Sequence, residues 1–380
     1  MLSVSTVSDP ADLRSRVDQA LARFLAEQRT RIIAALSAAV PDHLPDDPVD
    51  DAAPPADQAG IDGFLDVVTR FILTGGKRLR PAFAYWGCRG AGGEDSDALV
   101  TTVAALELVQ ASALIHDDVM DGSDTRRGEP AVHRRFAALH RKHGWHGDPD
   151  GFGTAAAILL GDLCLVWSGE LFHTGGLPTA AVARARPVFD QMRTEVTVGQ
   201  YLDVLTQASG EATVARALRV ARLKSATYTV ERPLLLGGAL ADAPPAIITA
   251  YTRYGSALGE AFQLRDDVLG VFGDPALTGK PAGDDLREGK RTYLVATAWQ
   301  TADPAARAVL ADRLGDPDLD AAGVDQLREV LVSTGALERT ERRITALTGA
   351  ALAALATAPV EPVAADALRA LATAATTRTG

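Results

Sequence analysis

Residues 114–128 read L-I-H-D-D-V-M-D-G-S-D-T-R-R-G and close a long apolar segment. Asp117 and Asp121 stand four positions apart, so on a helix their carboxylates project from one face, about a turn apart. Two like charges at this spacing repel, and a hard divalent cation would compensate them, above all magnesium if phosphate oxygens complete its octahedron. Arg126 and Arg127 offer forked donors to the same phosphates. The stretch therefore predicts a helix that ends at a site for metal and phosphate.

A solvated acidic helix end followed by a turn is the plain alternative, but it leaves the apolar run and the paired arginines unexplained. A second acidic pair supports the metal interpretation. It lies about 150 residues later in F-Q-L-R-D-D-V-L-G-V-F-G-D-P, where Asp266 and Asp267 follow another apolar helix. Two carboxylate clusters on separate helices of a bundle can face each other across a cavity. A diphosphate between them could bridge several metal ions.

A basic stretch, G-G-K-R-L-R-P at residues 75–81, supplies a third element. The glycines allow close backbone approach, and we expect Lys77 and Arg80 to share one helical face. Such a pair could hold a second diphosphate, although a basic helix start is more often solvated surface. Each of the lysines elsewhere in the chain, taken alone, is likewise typical of solvated surface.

The composition favours helices packed on helices. The chain has 380 residues, of which 47% are apolar and only 5% aromatic, and it shows neither strand-like alternation nor a solenoid period. We predict an all-α protein, a large helical bundle around a central cavity. Residues 1–60 should hold an amphipathic helix, from about Asp12 to Val40, and an acidic Pro-rich linker; residues 61–380 should form one helical domain.

Charge and hydropathy narrow the partners. A net charge of -11 argues against nucleic acid or an anionic membrane surface, because both would be repelled. The longest apolar runs, such as residues 155–160, are interrupted by Gly161 and Asp162, and none approaches the roughly 20 residues of a membrane span. No signal-peptide segment is evident, and Cys88 and Cys164 are the only cysteines. We expect a soluble cytoplasmic protein with no membrane span.

Together these motifs, with G-Q-Y-L-D at residues 199–203 and G-K-P-A-G-D-D-L-R-E-G-K at residues 279–290, resemble the trans-isoprenyl diphosphate synthase (polyprenyl synthetase) family, and most closely the bacterial geranylgeranyl diphosphate synthases. The match runs in order from about Phe64 to Lys290. The resemblance implies an isoprenoid-synthase fold, a homodimer, and head-to-tail condensation of isopentenyl diphosphate with an allylic diphosphate. It also implies magnesium, with three ions when substrate is bound.

The resemblance further implies residue roles. Asp117, Asp121 and Asp266 would ligate magnesium, and Asp118 and Lys224 would join them in catalysis. The other implied substrate contacts are Arg126 at the allylic diphosphate; Lys224, Lys280 and Lys290 at diphosphate oxygens; Lys77, Arg80, Gln110 and Arg127 at isopentenyl diphosphate; Gln200, Asp203, Phe262 and Gln263 along the allylic cavity; and Ser225 and Asp267 beside their neighbours in the motifs.

Two positions depart from the family pattern. The second motif is commonly D-D-x-x-D, but its last position here is Gly270. Asp274 would replace the missing carboxylate only if the helix ended early enough to fold it back, so we leave it out of the metal set. Ser225 stands where a threonine usually follows the lysine, and its hydroxyl should serve equally.

Product length should be set below the first acidic motif. Ser112 and Ala113, five and four positions before Asp117, are small, and at about 1.5 Å rise per residue they lie roughly 6 to 7.5 Å below the metal site. In this family an aromatic residue there favours stopping at fifteen carbons. We therefore expect geranylgeranyl diphosphate, with farnesyl or longer diphosphates as alternatives. Val109 and Leu106 follow further down, and Leu106 could help form the floor.

The histidines give no metal signal. His116 should point away from the aspartates and serve in packing. We expect His133, His140, His143 and His146, which surround a Gly-rich loop without structural-zinc spacing, to lie on the loop surface. Two rival functions remain. A non-catalytic prenyltransferase subunit is conceivable because the third aspartate is missing, but the complete first motif argues against it. A terpene cyclase would need no isopentenyl site and would carry Asn, Ser/Thr and Glu in its second motif.

Overall fold

The computed structural model describes residues 10–38, 56–274 and 283–377, and these ranges are overwhelmingly helical. The predicted all-α class is confirmed. In the described ranges the sole strands are a two-residue pair, β1 (Thr125–Arg126) and β2 (Glu129–Pro130). The helices are α1 (Pro10–Ala38), α2 (Ala56–Leu73), α3 (Leu79–Gly90), α4 (Asp97–Met120), α5 (Val132–His143), α6 (Pro149–Thr174), α7 (Thr179–Ser209), α8 (Val214–Val220), a π-helical segment (Ala221–Glu231), α9 (Arg232–Leu240), α10 (Pro245–Phe272), α11 (Asp284–Arg287), α12 (Tyr293–Thr301), α13 (Pro304–Arg313), α14 (Ala321–Ser333), α15 (Ala336–Ala356) and α16 (Pro362–Thr376).

Helix α4 forms the centre of the bundle. It is apolar on every face, as expected for a helix surrounded by others, and Val103, Leu106 and Leu108 are fully buried. Ser96 caps its start by accepting a hydrogen bond from the backbone of Leu99. Helices α3 and α6 pack along it. Because α4 is held on all sides, the acidic motif at its C-terminal end is fixed relative to the rest of the bundle.

Gly161, which interrupts an apolar run in the sequence, lies inside α6, and the helix continues through it. A Cβ atom on Gly161 would lie 2.2 Å from Nε2 of His116, so the glycine serves close packing of α6 on α4 rather than helix termination. The expectation that no apolar segment approaches the length of a membrane span is wrong by length and composition alone, since α4 and α6 are both long and apolar enough to cross a membrane. Within the protein, 72% of the apolar window in α4 and 50% of that in α6 are buried.

The π-helical segment lies between α7 and α10, pressed against both. Cβ atoms on Gly199 of α7 and Gly259 of α10 would lie 2.4 Å from the backbone nitrogen of Lys224 and 2.3 Å from the carbonyl oxygen of Ala226. Both helices therefore approach the segment through glycines. Single π turns inside helices are frequent at functional sites, and this segment carries Lys224 and Ser225.

The N-terminal helix α1 belongs to the main core, through buried residues such as Val17 and Leu21. It also holds the basic loop before α3. Nε of Arg78 donates to Asp18 of α1 at 2.7 Å, and Nη1 donates to Glu107 of α4 at 2.8 Å. Arg78 is 4% exposed and left-handed, with φ of 51°. The linker expected around residues 41–55 lies outside the described residues.

The expectation that Lys77 and Arg80 share a helical face is wrong. Helix α3 begins only at Leu79, so Lys77 lies in the preceding loop. The burial of Arg78 explains this arrangement. Because its side chain points into the protein, the backbone conformation before and after it is fixed.

Candidate active site

A cavity of about 330 Å³ opens where both acidic motifs meet. It lies among α4, α7, the π-helical segment, α10 and the segment around α11. The predicted residues that line it are Arg80, Gln110, Ala113, Asp117, Arg126, Gln200, Asp203, Lys224, Ser225, Phe262, Gln263, Asp266, Asp267 and Lys290. The structure thus brings together most of the side chains that the sequence selected, from positions up to about 200 residues apart. Lys280 lies outside the described residues.

Asp117 is the most heavily contacted carboxylate of the first motif. Its Oδ1 accepts hydrogen bonds from Lys224 at 3.0 Å and Gln200 at 3.1 Å, and its Oδ2 accepts one from Arg126 at 3.2 Å. Burial pushes the pKa of Asp117 upward, but the positive charges of Lys224, Lys290 and Arg126 outweigh it and hold that pKa well below its usual range. Asp117 is therefore ionised at neutral pH, as a metal ligand must be.

Asp118 points the other way, into the protein, and is fully buried. Its Oδ1 accepts a 2.8 Å hydrogen bond from Nε of Arg126, and Nη2 of the same guanidinium also contacts it. This carboxylate thereby fixes Arg126 beside Asp117. The role that the structure supports for Asp118 is to position the arginine, since it does not line the cavity.

Asp121 caps the C-terminal end of α4 and pairs with Lys290, whose Nζ lies 3.3 Å from its Oδ2. Nζ of Lys290 also lies 3.3 Å from Asp285 and contacts Glu288. Burial disfavours the charged lysine, but these carboxylates raise its pKa well above the usual value. Lys290 therefore remains positively charged beside the first acidic motif.

The second motif faces the same space from α10. Asp266 and Asp267 both line the cavity, and Asp267 accepts a 2.7 Å hydrogen bond from Gln263. Burial raises the pKa of Asp267 to about 8, with Gln263 opposing the shift and the charge of Asp285 adding to it. Asp267 is thus predominantly neutral at pH 7, whereas its neighbour Asp266 is the candidate ligand.

The donors at the cavity suit a hard cation, because they are carboxylate oxygens without imidazole or thiolate. Within the described ranges, no three acidic, histidine or cysteine side chains converge as a preformed metal cage. Magnesium does not require one, since it usually binds one or two carboxylates together with substrate phosphates. Asp117 and Asp266 line the cavity and fit that pattern, whereas Asp121 does not line it and pairs with Lys290.

A basic and aromatic wall closes the side of the cavity towards α3. Arg80 donates a 2.7 Å hydrogen bond to Thr229 and lies over the ring of Tyr228, with its Cζ 4.2 Å from the centroid. Tyr228 in turn donates to Oε1 of Gln110 at 2.9 Å. Arg80 and Gln110, both predicted for isopentenyl diphosphate, therefore share one wall with two residues that the sequence did not single out.

The remaining basic residues of that predicted site, Arg127 and Lys77, lie outside the cavity lining. Arg127 donates to the carbonyl of Thr74 at 2.8 Å and lies against Gly75, and Lys77 is exposed on the loop. Neither lines the cavity.

The four predicted chain-length residues separate into two groups. Ala113 lines the cavity. Leu106, Val109 and Ser112 are buried but do not line it. Along α4, the spacing 106, 110, 113, 117 follows one face, so Leu106 lies below Gln110 and Ala113, whereas Ser112 is turned towards the neighbouring packing.

The histidine interpretation needs one correction. His116 packs on α6, with Nε2 3.1 Å from the carbonyl oxygen of Ile158, as expected. His133 and His140, however, are buried in α5 rather than on a loop surface. Their neighbours Phe136 and Ala137 make α5 amphipathic, and this explains why the two histidines face inward.

Sequence reasoning missed several cavity residues. Tyr228 and Thr229 lie four and five positions after Lys224, a spacing that brings them to its face in a π-helix but gives no sequence signal. Asp285 belongs to the motif at residues 279–290, but the sequence predicted no role for it. Arg291 also lines the cavity, and its buried Nε and Nη1 have no hydrogen-bond partner among the described residues; its position next to Lys290 was the available signal.

Known proteins resemble this chain over most of its length. The sequence profile described as Polyprenyl synthetase matches residues 63–331. The geranylgeranyl diphosphate synthase of Mycobacterium tuberculosis is 34% identical over 283 residues, which cover 72% of this chain and 75% of that protein. The geranylfarnesyl diphosphate synthase of Aeropyrum pernix is 33% identical over 276 residues, covering 72% and 80%.

Solved structures agree with the sequence relatives. The geranylgeranyl pyrophosphate synthase of Corynebacterium glutamicum, complexed with isoprenyl diphosphate and magnesium, superposes with a TM-score of 0.88 at 40% identity, covering 98% of this chain and 100% of that one. The polyprenyl synthase of Caulobacter crescentus, complexed with calcium and isoprenyl diphosphate, gives 0.70 at 27%, covering 96% and 98%. The arrangement of the two acidic motifs around one cavity and these matches lead to the same conclusion: the chain belongs to the polyprenyl synthetase family.

Proposed function

We propose that this protein condenses isopentenyl diphosphate head to tail with an allylic diphosphate, using magnesium, and that geranylgeranyl diphosphate is its main product. The observation that carries the proposal is the shared cavity. Asp117 of α4 and Asp266 of α10 line it together with the lysines, while Arg80 and Gln110 occupy another wall. One site therefore offers separate places for two diphosphates, which a terpene cyclase would not need.

Asp117, Asp121 and Asp266 would hold the magnesium, and we propose three ions when substrate is bound. When bound, magnesium neutralises charge on the departing diphosphate and orients it. Lys224 and Arg126 add fixed positive charge beside Asp117, and Lys290 does so beside Asp121. Preorganised charge of this kind is most effective where water is excluded. These side chains would thus stabilise the leaving group of the allylic substrate.

In the reaction, the bond between C1 of the allylic substrate and its diphosphate oxygen breaks, and the electron pair leaves with the diphosphate. The double bond of isopentenyl diphosphate then attacks C1. Loss of a proton from the adjacent carbon restores a double bond. The carboxylates of the first motif are paired with Lys224, Arg126 and Lys290, and we assign that proton to the released diphosphate.

Arg80, Gln110, Lys77 and Arg127 would bind the diphosphate of isopentenyl diphosphate. Arg80 lines the cavity over the ring of Tyr228, and Lys77 and Arg127 belong to the neighbouring loops, where Arg127 donates to the carbonyl of Thr74. Arginine stacked on an aromatic ring keeps its forked donors available to an anion. Gln200, Phe262 and Gln263 line the same cavity, and the allylic chain would lie along them.

We further propose a homodimer. Helices α6 and α7 pack together through the stacked rings of Phe172 and Phe189, whose centroids are 4.3 Å apart. Each helix exposes large apolar side chains: Leu159 is 63% exposed, Val166 67% and Tyr201 65%. Large exposed apolar side chains are typical of protein contacts, and a second copy is the partner that the family resemblance suggests.

Sedimentation would test the dimer. Leu159→Arg combined with Val166→Arg should convert a dimer to a monomer, whereas Val332→Arg, which changes another exposed valine on α14, should not. A monomeric unsubstituted protein would refute the dimer.

We place the protein in the cytoplasm, in keeping with Cys88 and Cys164, which are buried and unpaired.

The function itself can be tested by stoichiometry. The purified protein, given isopentenyl diphosphate and geranyl diphosphate, should release one pyrophosphate for each isopentenyl diphosphate consumed. Chelation by EDTA should stop the release, and added magnesium should restore it. Release of pyrophosphate from geranyl diphosphate alone at the same rate would favour a cyclase and contradict the proposal.

A further inference from the structure

Arg78 joins three helices to the basic loop that precedes α3. Its Nε donates a 2.7 Å hydrogen bond to Asp18 of α1, and its Nη1 donates one of 2.8 Å to Glu107 of α4. Its Nη2 donates to the backbone carbonyl of Ile72 in α2 at 2.7 Å. Arg78 and Glu107 are both buried. All three nitrogens of this guanidinium are therefore engaged within the protein.

These contacts hold the backbone of the loop in an unfavourable conformation. Arg78 has a φ of 51°, in the left-handed region that a residue with a Cβ atom rarely adopts. Gly75 and Gly76, just before it, also have positive φ angles of 76° and 88°. A conformation of this kind persists only where the surrounding structure imposes it. The buried contacts of Arg78 therefore maintain the turn between α2 and α3.

This turn carries residues proposed to bind isopentenyl diphosphate. Lys77 directly precedes Arg78, and Arg80 follows it by two positions, in the first turn of α3, where it lines the cavity. Arg127 contacts the same turn, because its Nη1 donates to the backbone carbonyl of Thr74 at 2.8 Å. A change in the backbone at Arg78 would therefore shift all three proposed ligands.

Glu107 supplies negative charge beneath a group of cations. Burial lowers the pKa of Arg127 below its usual value, and the charge of Glu107 opposes that shift. The positive charges that add to the shift are those of Arg78, Arg126 and Arg80. Cations that lie this close repel one another, and the repulsion favours an anionic ligand. Glu107 hydrogen-bonds to Arg78 and does not line the cavity, so it reduces the repulsion without occupying the site.

Asp18 brings the N-terminal helix into this arrangement. Helix α1 ends at Ala38, before the segment that the family profile matches, which starts at residue 63. Val17 and Leu21 anchor the helix in the main core on either side of Asp18. The contact with Arg78 thus connects the turn to a part of the chain outside the matched segment.

We propose that Arg78 positions the isopentenyl diphosphate loop and that Asp18 makes α1 a functional part of that site. The inference rests on the proposed function. Arg78 is a positioning residue: it acts through Lys77, Arg80 and Arg127 by fixing the turn that carries or contacts them. When its contacts are weakened, the turn relaxes and the affinity for isopentenyl diphosphate falls. The allylic diphosphate, held at the acidic motifs, is unaffected.

Three variants separate this role from general stability. Asp18→Asn removes a charge from α1 and keeps the size of the side chain. Arg78→Lys keeps the positive charge but lacks the fork that reaches three acceptors. Asp62→Asn is the matched control. Asp62 of α2 forms a 2.7 Å ion pair with Arg29 of α1, and its side chain is 37% exposed, compared with 35% for Asp18.

The measurement is calorimetric titration of each variant with isopentenyl diphosphate and, separately, with geranyl diphosphate and magnesium, with the melting temperature recorded. We expect Arg78→Lys to weaken binding of isopentenyl diphosphate about 10- to 100-fold, because it loses buried hydrogen bonds between charged groups. Asp18→Asn should weaken it about three- to tenfold, since a partly exposed pair contributes less. Binding of geranyl diphosphate should be unchanged in both, and Asp62→Asn should bind both ligands as the unsubstituted protein does.

Unchanged affinity for isopentenyl diphosphate in folded Arg78→Lys would overturn the inference and leave the proposed function standing. An equal loss of affinity for both ligands, or the same loss in Asp62→Asn as in Asp18→Asn, would also overturn it, because loosening of the whole bundle would then be the cause. If Arg78→Lys fails to fold, the comparison of Asp18→Asn with Asp62→Asn still decides. No binding of isopentenyl diphosphate by the unsubstituted protein would refute the proposed function and the inference together.

Discussion

Nζ of Lys224 lies 3.0 Å from Oδ1 of Asp117, joining the π-helical segment to the end of α4. The contact keeps Asp117 ionised despite its burial. It also places a cation where the diphosphate of an allylic substrate would depart.

Loss of either acidic motif should therefore remove turnover. Asp117→Ala and Asp266→Ala should each lower kcat by at least about 100-fold, because each removes a ligand to a metal that stabilises developing charge. Asp312→Ala, which changes an exposed aspartate on α13, is the control. Near-normal kcat in either site variant at saturating magnesium would contradict the metal assignment.

The basic wall should govern the second substrate. Arg80→Ala should raise the KM for isopentenyl diphosphate about 10- to 100-fold, because a hydrogen bond to a charged group contributes about 1.5 to 3 kcal/mol. Lys77→Ala should act in the same direction but less, because Lys77 is exposed on the loop. Lys142→Ala, on the surface of α5, should change neither KM. A rise confined to the KM of the allylic substrate would mean that the two diphosphate sites are exchanged.

Product length should respond to α4. Ala113 lines the cavity, so Ala113→Phe should shorten the main product towards fifteen carbons. Ser112→Phe should change the product less and lower the melting temperature, because Ser112 is packed outside the cavity and overpacking destabilises. Leu106→Ala should lengthen the product if the chain reaches that depth. An active Ala113→Phe enzyme with unchanged products would show that the chain does not grow along this face.

Stability should depend on pH through His133. Burial, followed by the positive charge of Arg134, lowers the pKa of His133 below its usual 6.5. The unfolded chain therefore takes up a proton at His133 as the pH falls below about 6.5, while the folded protein does not. The contribution of neutral His133 to stability is present above that pH and is lost below it. The melting temperature of His133→Gln should fall less between pH 7.5 and 5.5 than that of the unsubstituted protein. His143→Gln, exposed on the same helix, should behave as the unsubstituted protein does, and equal losses in all three would contradict the argument.

The sequence carried the elements of this site for identifiable reasons. Glycines and prolines marked the helix boundaries, and the helical period placed Asp117 and Asp121 on one face. Gly161 interrupts an apolar run in the sequence, yet in the structure it allows His116 to approach and the apolar helix α6 continues through it.

Other features depended on contacts between distant segments. The π-helical path that brings Tyr228 beside Arg80 has no pattern of its own. Asp285 of α11 packs against Gly270 of α10. The length of the segment that connects the two helices does not indicate that the chain returns to this position. Arg78 could not be distinguished from Lys77 and Arg80 in sequence, because its buried partners, Asp18 and Glu107, lie on other helices.

The central claim, that this protein lengthens allylic diphosphates with isopentenyl diphosphate, is tested most directly by product analysis. Radiolabelled isopentenyl diphosphate should be supplied with magnesium and, separately, with the five-, ten- and fifteen-carbon allylic diphosphates, and the dephosphorylated products separated by chain length. We predict incorporation that requires both substrates and yields mainly the twenty-carbon product. No incorporation of label with any of the three allylic partners would contradict the account.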